Sequence, residues 1–383
     1  MGIYLDYNAS APIDTRVLDE MIEVYKTRPG NADSRTHDYG DHARMVVENA
    51  RKHVARLLDI NTDEVFFTSG ATESNNIAIQ GLKAYANSAN KKHIITSSIE
   101  HKAVIETVKA MEKEGFDVDI VDPEKNGRIS VEKVLNLVRE DTLLVSIMHV
   151  NNETGIIQPV AEIGEALDQS ETLFHVDATQ SFGKLVPELK ELKYNMLSMS
   201  AHKVGGPQGI GALVLRRKNY KLPSIKSVYH GGQQEHGIRP GTVPVALVAG
   251  LGKACEIAGN EYTANMEKCR MIKKAILESL NESGLHYSIN GAPEYCVDNT
   301  INICLHGVNS EALMLASKTY CGISNGSACN SNSYNPSYVL TAMGVASEDI
   351  DNSIRISWGA GIELSEVKSE FDKLLSVAKD LVW

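Results

Sequence analysis

Leu173-Phe174-His175-Val176-Asp177-Ala178-Thr179-Gln180 and, further on, Met196-Leu197-Ser198-Met199-Ser200-Ala201-His202-Lys203-Val204-Gly205-Gly206-Pro207 decide how this chain folds. Each stretch opens with a short apolar run, Leu173–Asp177 and Met196–Ser200, that reads as a strand and ends on polar side chains. Such runs fit strands in the middle of a parallel sheet, where crossover helices cover both faces. Polar residues at the carboxyl ends of such strands face the crevice in which open α/β sheets bind ligands. Asp177 and Lys203 stand 26 positions apart, each at a strand end, so one flat ligand can touch both.

The pattern continues outward. Val65–Thr68, His93–Ser97, 118–121, 143–150 and Gly211–Leu215 also read as strands. Helical spacing fills 40–58, 72–87, 101–114, 130–139 and 160–169. In the first of these, Val46, Val47, Ala50, Val54, Leu57 and Leu58 share one face at a period near 3.6. The alternation predicts an α/β fold with a mainly parallel seven-stranded sheet covered on both faces. Beyond about 245 the pattern changes to a long helical stretch over 245–282, then Thr300–Leu305, a helix near 310–319 and a strand at 353–358. These read as a smaller α+β domain. The expected division is 15–258 for the large domain, with 1–14 and 259–383 forming the small one.

Composition narrows the function. A chain of 383 residues with 43% hydrophobic content can bury one large core and a smaller one. The net charge of −11 argues against a non-specific nucleic-acid or anionic-membrane binder, and direct nucleic-acid binding is not expected. No segment has the run of roughly 18–20 apolar residues that a membrane span needs. Met1-Gly2-Ile3-Tyr4-Leu5-Asp6 lacks a signal-peptide pattern, and the cytoplasm is the expected compartment. The cysteines at 255, 269, 296, 304, 321 and 329 form no CxxC pair, and none lies near a histidine at zinc-finger spacing. No metal site is expected from them. Cys304, in Ile301-Asn302-Ile303-Cys304-Leu305, reads as a buried strand residue.

Four places carry chemistry. In Thr68-Ser69-Gly70-Ala71-Thr72-Glu73 a strand ends at a glycine and a helix opens, which exposes backbone N–H groups where phosphate binds. An ordinary Thr or Ser cap would look alike, and the Gly-Lys-Thr/Ser ending of a Walker loop is missing. Asp177 would need a cationic partner if buried, and a protonated pyridine nitrogen would serve. Capping the next helix is the plain alternative. Lys203, beside flexible glycines, is a candidate for Schiff-base chemistry, although a lysine on a surface turn is commonplace. The fourth place is Ser324-Asn325-Gly326-Ser327-Ala328-Cys329-Asn330-Ser331-Asn332-Ser333-Tyr334-Asn335-Pro336, which is polar and aperiodic. It predicts an exposed loop with an accessible thiol. His101 follows a strand and opens a helix, so it too faces the crevice. His37, His149, His175 and His230 read as structural or solvent-facing.

Taken together, these stretches resemble a class V, fold-type I pyridoxal-phosphate (PLP) enzyme, specifically a cysteine desulfurase of the NifS/IscS type. The likeness runs from Tyr4-Leu5-Asp6-Tyr7-Asn8-Ala9-Ser10-Ala11-Pro12 to Ser353-Ile354-Arg355-Ile356-Ser357. It implies that Lys203 holds PLP covalently, that Asp177 pairs with the pyridine nitrogen, and that Gln180 bonds the ring hydroxyl. It also implies that His101 stacks on the ring and helps move protons. Ala71, Thr72, Ser200 and His202 would hold the phosphate. Thr242 would reach the phosphate of a second subunit in a homodimer. Asn152 would lie near the ring hydroxyl and the substrate, Arg355 would clamp the substrate carboxylate, and Cys329 would take the sulfur of L-cysteine as a persulfide for an acceptor protein.

Some positions depart from the family pattern. Ala201 stands where glycine is common, Asn330 and Asn332 replace small residues, and Gln233-Gln234 follow only two glycines. The segments 31–37, 151–159 and 239–242 look especially like the desulfurase of DNA phosphorothioation systems. Iron–sulfur cluster assembly and tRNA thiolation are the other pathways the resemblance allows. Within PLP enzymes, a selenocysteine lyase or an aminotransferase is the alternative. Outside them, it is a persulfide relay or assembly platform with little turnover.

Overall fold

The computed structural model describes residues 2–326 and 336–382. Cys329 and the rest of 327–335 lie outside the described residues. The strands in chain order are β1 (Ile3–Tyr4), β2 (Val65–Thr68), β3 (His93–Ser97), β4 (Asp117–Val121), β5 (Thr142–Met148), β6 (Leu173–Asp177), β7 (Met196–Ser200), β8 (Gly211–Leu215), β9 (Tyr287–Ile289), β10 (Thr300–Leu305), β11 (Cys321–Gly322) and β12 (Ser353–Ser357).

Seven of them form one sheet in the order β2-β8-β7-β6-β5-β3-β4. Neighbours from β7 to β4 are parallel, whereas β8 runs antiparallel to both β7 and β2. Side chains alternate between the faces with period two. Phe67, Ile95, Val145, Leu197 and Val214 enter one core, and Phe66, Ile94, Leu144, Met196 and Leu213 enter the core on the opposite face. Burying each such side chain stabilises the fold by about 1.5–3 kcal/mol relative to leaving it exposed. Double-sided burial is why these strands read as unbroken apolar runs.

The helix Asp38–Leu58 buries Val47, Ala50, Val54, Leu57 and Leu58 as its periodicity predicts, and Val46 is partly buried. The helix expected over 72–87 is two helices, Ala71–Gln80 and Lys83–Ala89. Gly81 still donates to the Ile77 carbonyl, but Leu82 N–H turns to that of Ile79, which separates the two helices, and Asn90 ends the second in the left-handed conformation. The run at 143–150 leaves the sheet after Met148, where Val150 makes only an isolated bridge to Ile157.

A second core lies around the three-stranded sheet β12-β10-β9. The short pair β1–β11 joins the chain's start to this core through Ile3 and Cys321. A single helix, Val245–Ser283, serves both regions. Cys255 and Ala258 belong to the core of the large sheet, and Cys269, Ile272 and Ile276 to the core of the small one. Gly252 lets this helix lie against Asp38–Leu58, since a Cβ there would sit 2.6 Å from Ala50 Cα. Among the described residues no helix is long and apolar enough to cross a membrane.

Candidate active site

At the carboxyl ends of the parallel strands a cavity of about 510 Å³ opens, within the size range of small-molecule sites. Ala71, Thr72, His101, Asn152, Asp177, Gln180, Ser200, His202, Lys203 and Arg355 all line it. Thr242 does not; it is exposed and lies outside this cavity.

One wall is the start of the helix Ala71–Gln80. Its cap residue is Gly70, at φ 149°, and no side chain caps the helix. The Thr or Ser cap allowed by the sequence is therefore not made, and the first N–H groups face the cavity. That φ suits only glycine, and a Cβ at Gly70 would point at Ser200 Oγ from 3.5 Å. Ser69 N–H donates to the carboxylate of Glu73, which pairs with Arg239 at 3.0 Å.

Asp177 ends β6 and is buried. Its Oδ2 accepts from Asn75 Nδ2 at 2.8 Å, and its Oδ1 accepts from Thr179 N at 3.0 Å and Thr179 Oγ1 at 2.5 Å. It caps no helix, since the next begins at Val186. Lys203 follows β7 in a short 3-10 turn, Ala201–Lys203. Its ammonium donates to the carbonyl oxygens of Asn8 and Ala9 at 2.5 and 2.6 Å. Gln180 Nε2 donates to the same Asn8 carbonyl at 3.0 Å.

His101 caps the helix Lys102–Lys113, its Nδ1 accepting from Ala103 N at 3.1 Å. Burial holds its pKa below the ordinary histidine value; Asp177 opposes this and Lys203 adds to it. A neutral ring at physiological pH can stack on an aromatic ligand, and with Nδ1 accepting it carries its proton on Nε2 and can donate there. Burial, then Lys203, pushes His202 down to about 4, and its Nδ1 lies 3.2 Å from Ser10 Oγ.

Across the cavity, the buried Arg355 on β12 pairs with Asp6 Oδ1 at 2.6 Å and donates to the Asn152 carbonyl at 2.9 Å. Among the described residues, its Nε and the amide oxygen of Asn152 are buried without a hydrogen-bond partner. Unsatisfied buried polar atoms are expensive, so both are suited to a polar ligand.

The sequence reading passed over Asn8, Asn75, Asp6 and Thr179. Asn75 was legible in principle, one helical turn beyond Ala71 on the inward face. Asn8 and Asp6 come from the far end of the chain, and no local pattern marks them. The histidines read as structural are consistent with their places. His175 is bonded at both ring nitrogens to Ser146 and Ser198, His149 is buried, His37 caps the helix Asp38–Leu58, and His230 is exposed.

Next to His101 lies Glu100, fully buried, with Oε1 accepting from Ser97 Oγ at 2.6 Å and Met148 N at 3.0 Å. Burial pushes its pKa up to about 8, against those two hydrogen bonds, and the charge of Asp177 adds to the rise. A carboxyl whose pKa is raised on folding stabilises the fold fully below its unfolded value and loses that contribution as pH climbs to the folded one. Glu100→Gln should therefore gain stability over wild type by about 1 kcal/mol per pH unit between roughly pH 5 and 8, then level off. Urea unfolding at stepped pH checks this, and a pH-independent difference would contradict a buried neutral carboxyl.

The sequence model of the class-V aminotransferases matches residues 3–369. The chain belongs to the class-V aminotransferase family. It is 42% identical over its full length to the cysteine desulfurase IscS of Pasteurella multocida, covering 93% of that protein. Across 99% of the chain it is 43% identical to IscS of Vibrio cholerae, of which it also covers 93%. Among solved structures, a NifS-like protein superposes with TM-score 0.90 at 35% identity over all of both chains. DndA from Streptomyces lividans gives 0.81 at 40% identity, over 93% of this chain and 99% of that one. This is the fold-type I architecture of a PLP-dependent enzyme. The class-V cavity offers what PLP needs. An uncapped helix start suits its phosphate, a buried carboxylate suits its ring nitrogen, and Lys203 brings an amine to the same cavity.

Proposed function

We propose that this class-V enzyme is a cysteine desulfurase, which takes the sulfur from L-cysteine, leaves L-alanine, and carries the sulfur on Cys329 as a persulfide. The observation that carries this reading is the convergence of Lys203, Asp177, the open helix start at Ala71 and the buried Arg355 on one cavity. A cysteine-bound relative supports the substrate class, since SspA in complex with cysteine superposes with TM-score 0.80 at 36% identity.

When bound, PLP supplies an electron sink for charge at the substrate's α-carbon. The residues would share the remaining work. Lys203 would anchor the cofactor through Nζ and release it to the substrate amine. Asp177 would keep a proton on the pyridine nitrogen, its orientation fixed by Asn75 and Thr179. The N–H groups of Ala71 and Thr72, with Ser200 and His202, would hold the phosphate. Gln180 and Asn152 would reach the ring hydroxyl. His101 would cover the ring face and help move protons through Nε2, which carries the hydrogen while Nδ1 accepts from Ala103 N. Arg355 would bind the substrate carboxylate with its guanidinium fork. The Cys329 thiolate would form the new S–S bond to the substrate sulfur as the carbon–sulfur bond breaks. That bond's electron pair stays with carbon, which takes a proton to become alanine.

The finer parts of the proposal are a homodimer in which Thr242 reaches the partner's phosphate site, an acceptor protein for the persulfide, and a cytoplasmic setting. IscS and DndA relatives match at similar identity, so identity alone does not choose between their pathways. The proposed division at 258/259 is supported by the long helix, whose Ala258 packs in one core and Cys269 in the other.

The test is chemical. PLP-loaded enzyme incubated with L-cysteine should release alanine in step with sulfide once a thiol reductant is added. Without reductant, peptide mass spectrometry should find one extra sulfur atom on Cys329. Alanine without sulfur on Cys329 would reject the persulfide route. A keto acid from the substrate would favour an aminotransferase, and protein that binds no PLP would favour the platform reading.

A further inference from the structure

Cys304, His306 and Asp349 come together at the outer end of the small sheet, away from the cavity described above. Cys304 lies on β10, and His306 stands in the turn just past its end, two positions along the chain. Asp349 arrives from the short helix Ser347–Asp351, which leads into β12, and Ser353 on β12 is the ladder partner of Cys304.

Their ligand atoms form a small triangle. Cys304 Sγ lies 3.6 Å from both His306 Nδ1 and Asp349 Oδ1, and those two lie 3.1 Å apart. A tetrahedral Zn²⁺, with Zn–S about 2.3 Å and Zn–N and Zn–O about 2.0–2.1 Å, holds its ligands about 3.5 Å apart for S···N and S···O and about 3.3 Å for N···O. All three observed edges agree with that tetrahedron to about 0.2 Å. The donor set is one thiolate, one imidazole and one carboxylate, the mixture that suits zinc better than a hard ion such as magnesium. The ring of His306 is fixed from the other side, where His286 stacks on it at 4.4 Å between centroids, and the His306 backbone N–H donates to the His286 carbonyl at 3.0 Å. Cys304 is buried, while His306 and Asp349 are partly exposed, so an ion can enter from solvent and keep a water as fourth ligand.

We infer that Cys304, His306 and Asp349 form a zinc site, separate from the cofactor cavity, that ties β10 to the segment entering β12. Binding would displace the thiol proton and require the His306 tautomer that bears its proton on Nε2. Without an ion, the same His306–Asp349 distance is met by a hydrogen bond from Nδ1–H to Oδ1, so the two states differ in protons and little in geometry. The strand held in this way also carries Arg355, but the inference concerns metal binding and does not depend on the enzyme's reaction.

The experiment uses PLP-loaded wild type with the His306→Gln and Asp349→Asn variants, both at partly exposed positions, and Cys304→Ser. Crystals equilibrated with zinc chloride and measured at the zinc absorption edge should show an anomalous peak about 2.0–2.4 Å from Sγ, Nδ1 and Oδ1. In solution, each variant should retain one zinc fewer per chain than wild type after gel filtration. The thermal midpoint of wild type should rise with micromolar zinc, and that of the variants should not. No peak at this triangle in wild-type crystals would overturn the inference. Equal retention by wild type and both surface variants would do the same, as would binding only at millimolar zinc. Cys304→Ser misfolding would not affect these readouts, because the two surface variants carry the comparison.

Discussion

Lys203→Ala should lower the rate of alanine formation from L-cysteine by about 10³-fold or more, the scale lost when a positioned proton-transfer or nucleophilic side chain is removed. The amine is the cavity's lysine nitrogen, held between two carbonyl oxygens near Asp177 and His101. Its loss leaves the Asn8 and Ala9 carbonyls short of one donor each, at a part of the cavity that solvent reaches. That costs only about 1–2 kcal/mol of stability. The variant should thus fold and melt close to wild type while losing both turnover and the visible absorption of covalently held PLP. Stopped assays and absorption spectra on matched preparations would show this. A variant that keeps its rate would remove Lys203 from the chemistry.

Arg355→Ala should act on binding and on stability together. Removing two charge-assisted hydrogen bonds from the substrate carboxylate should raise KM for L-cysteine by about 10²-fold or more. Truncating one partner of a buried ion pair also strands the other, and Asp6 would remain in place with no guanidinium. Such losses run to about 3 kcal/mol. The two effects separate in a double variant. Asp6→Asn combined with Arg355→Ala should recover most of the stability and none of the KM. Steady-state kinetics with urea unfolding would read both. A KM that recovers alongside stability would show that Arg355 only props up the fold.

The architecture was readable where burial imposes a pattern. Strands β2, β3, β6, β7 and β8 have the limits read from the sequence, because both faces are packed and the apolar run stops where the sheet stops. The edge strand β4 was less sharp. Asp117, Asp119 and Ile120 are exposed or half-buried, so its signal mixes polar and apolar positions. The two-residue pair β1–β11 left no pattern at all. The site was readable where a polar residue interrupts such a run, as at Asp177 and Lys203. It was not readable where a residue's role depends on a neighbour far away in sequence. Asn8 is an ordinary asparagine until its carbonyl meets Lys203, and Cys304 is a core residue until Asp349 meets it 45 positions later.

The amino-terminal segment has a bearing on how the enzyme is made. Asp6, Asn8 and Ala9 leave the ribosome long before their partners, Lys203 and Arg355. The large sheet can pair while synthesis continues, since its neighbouring strands are mostly close in the chain. The cavity cannot, because the Asp6–Arg355 contact spans 349 positions, and contacts that distant are slow to close. A nascent chain stalled short of Arg355 should therefore hold a formed sheet and a crevice that still lacks its clamp for the substrate carboxylate.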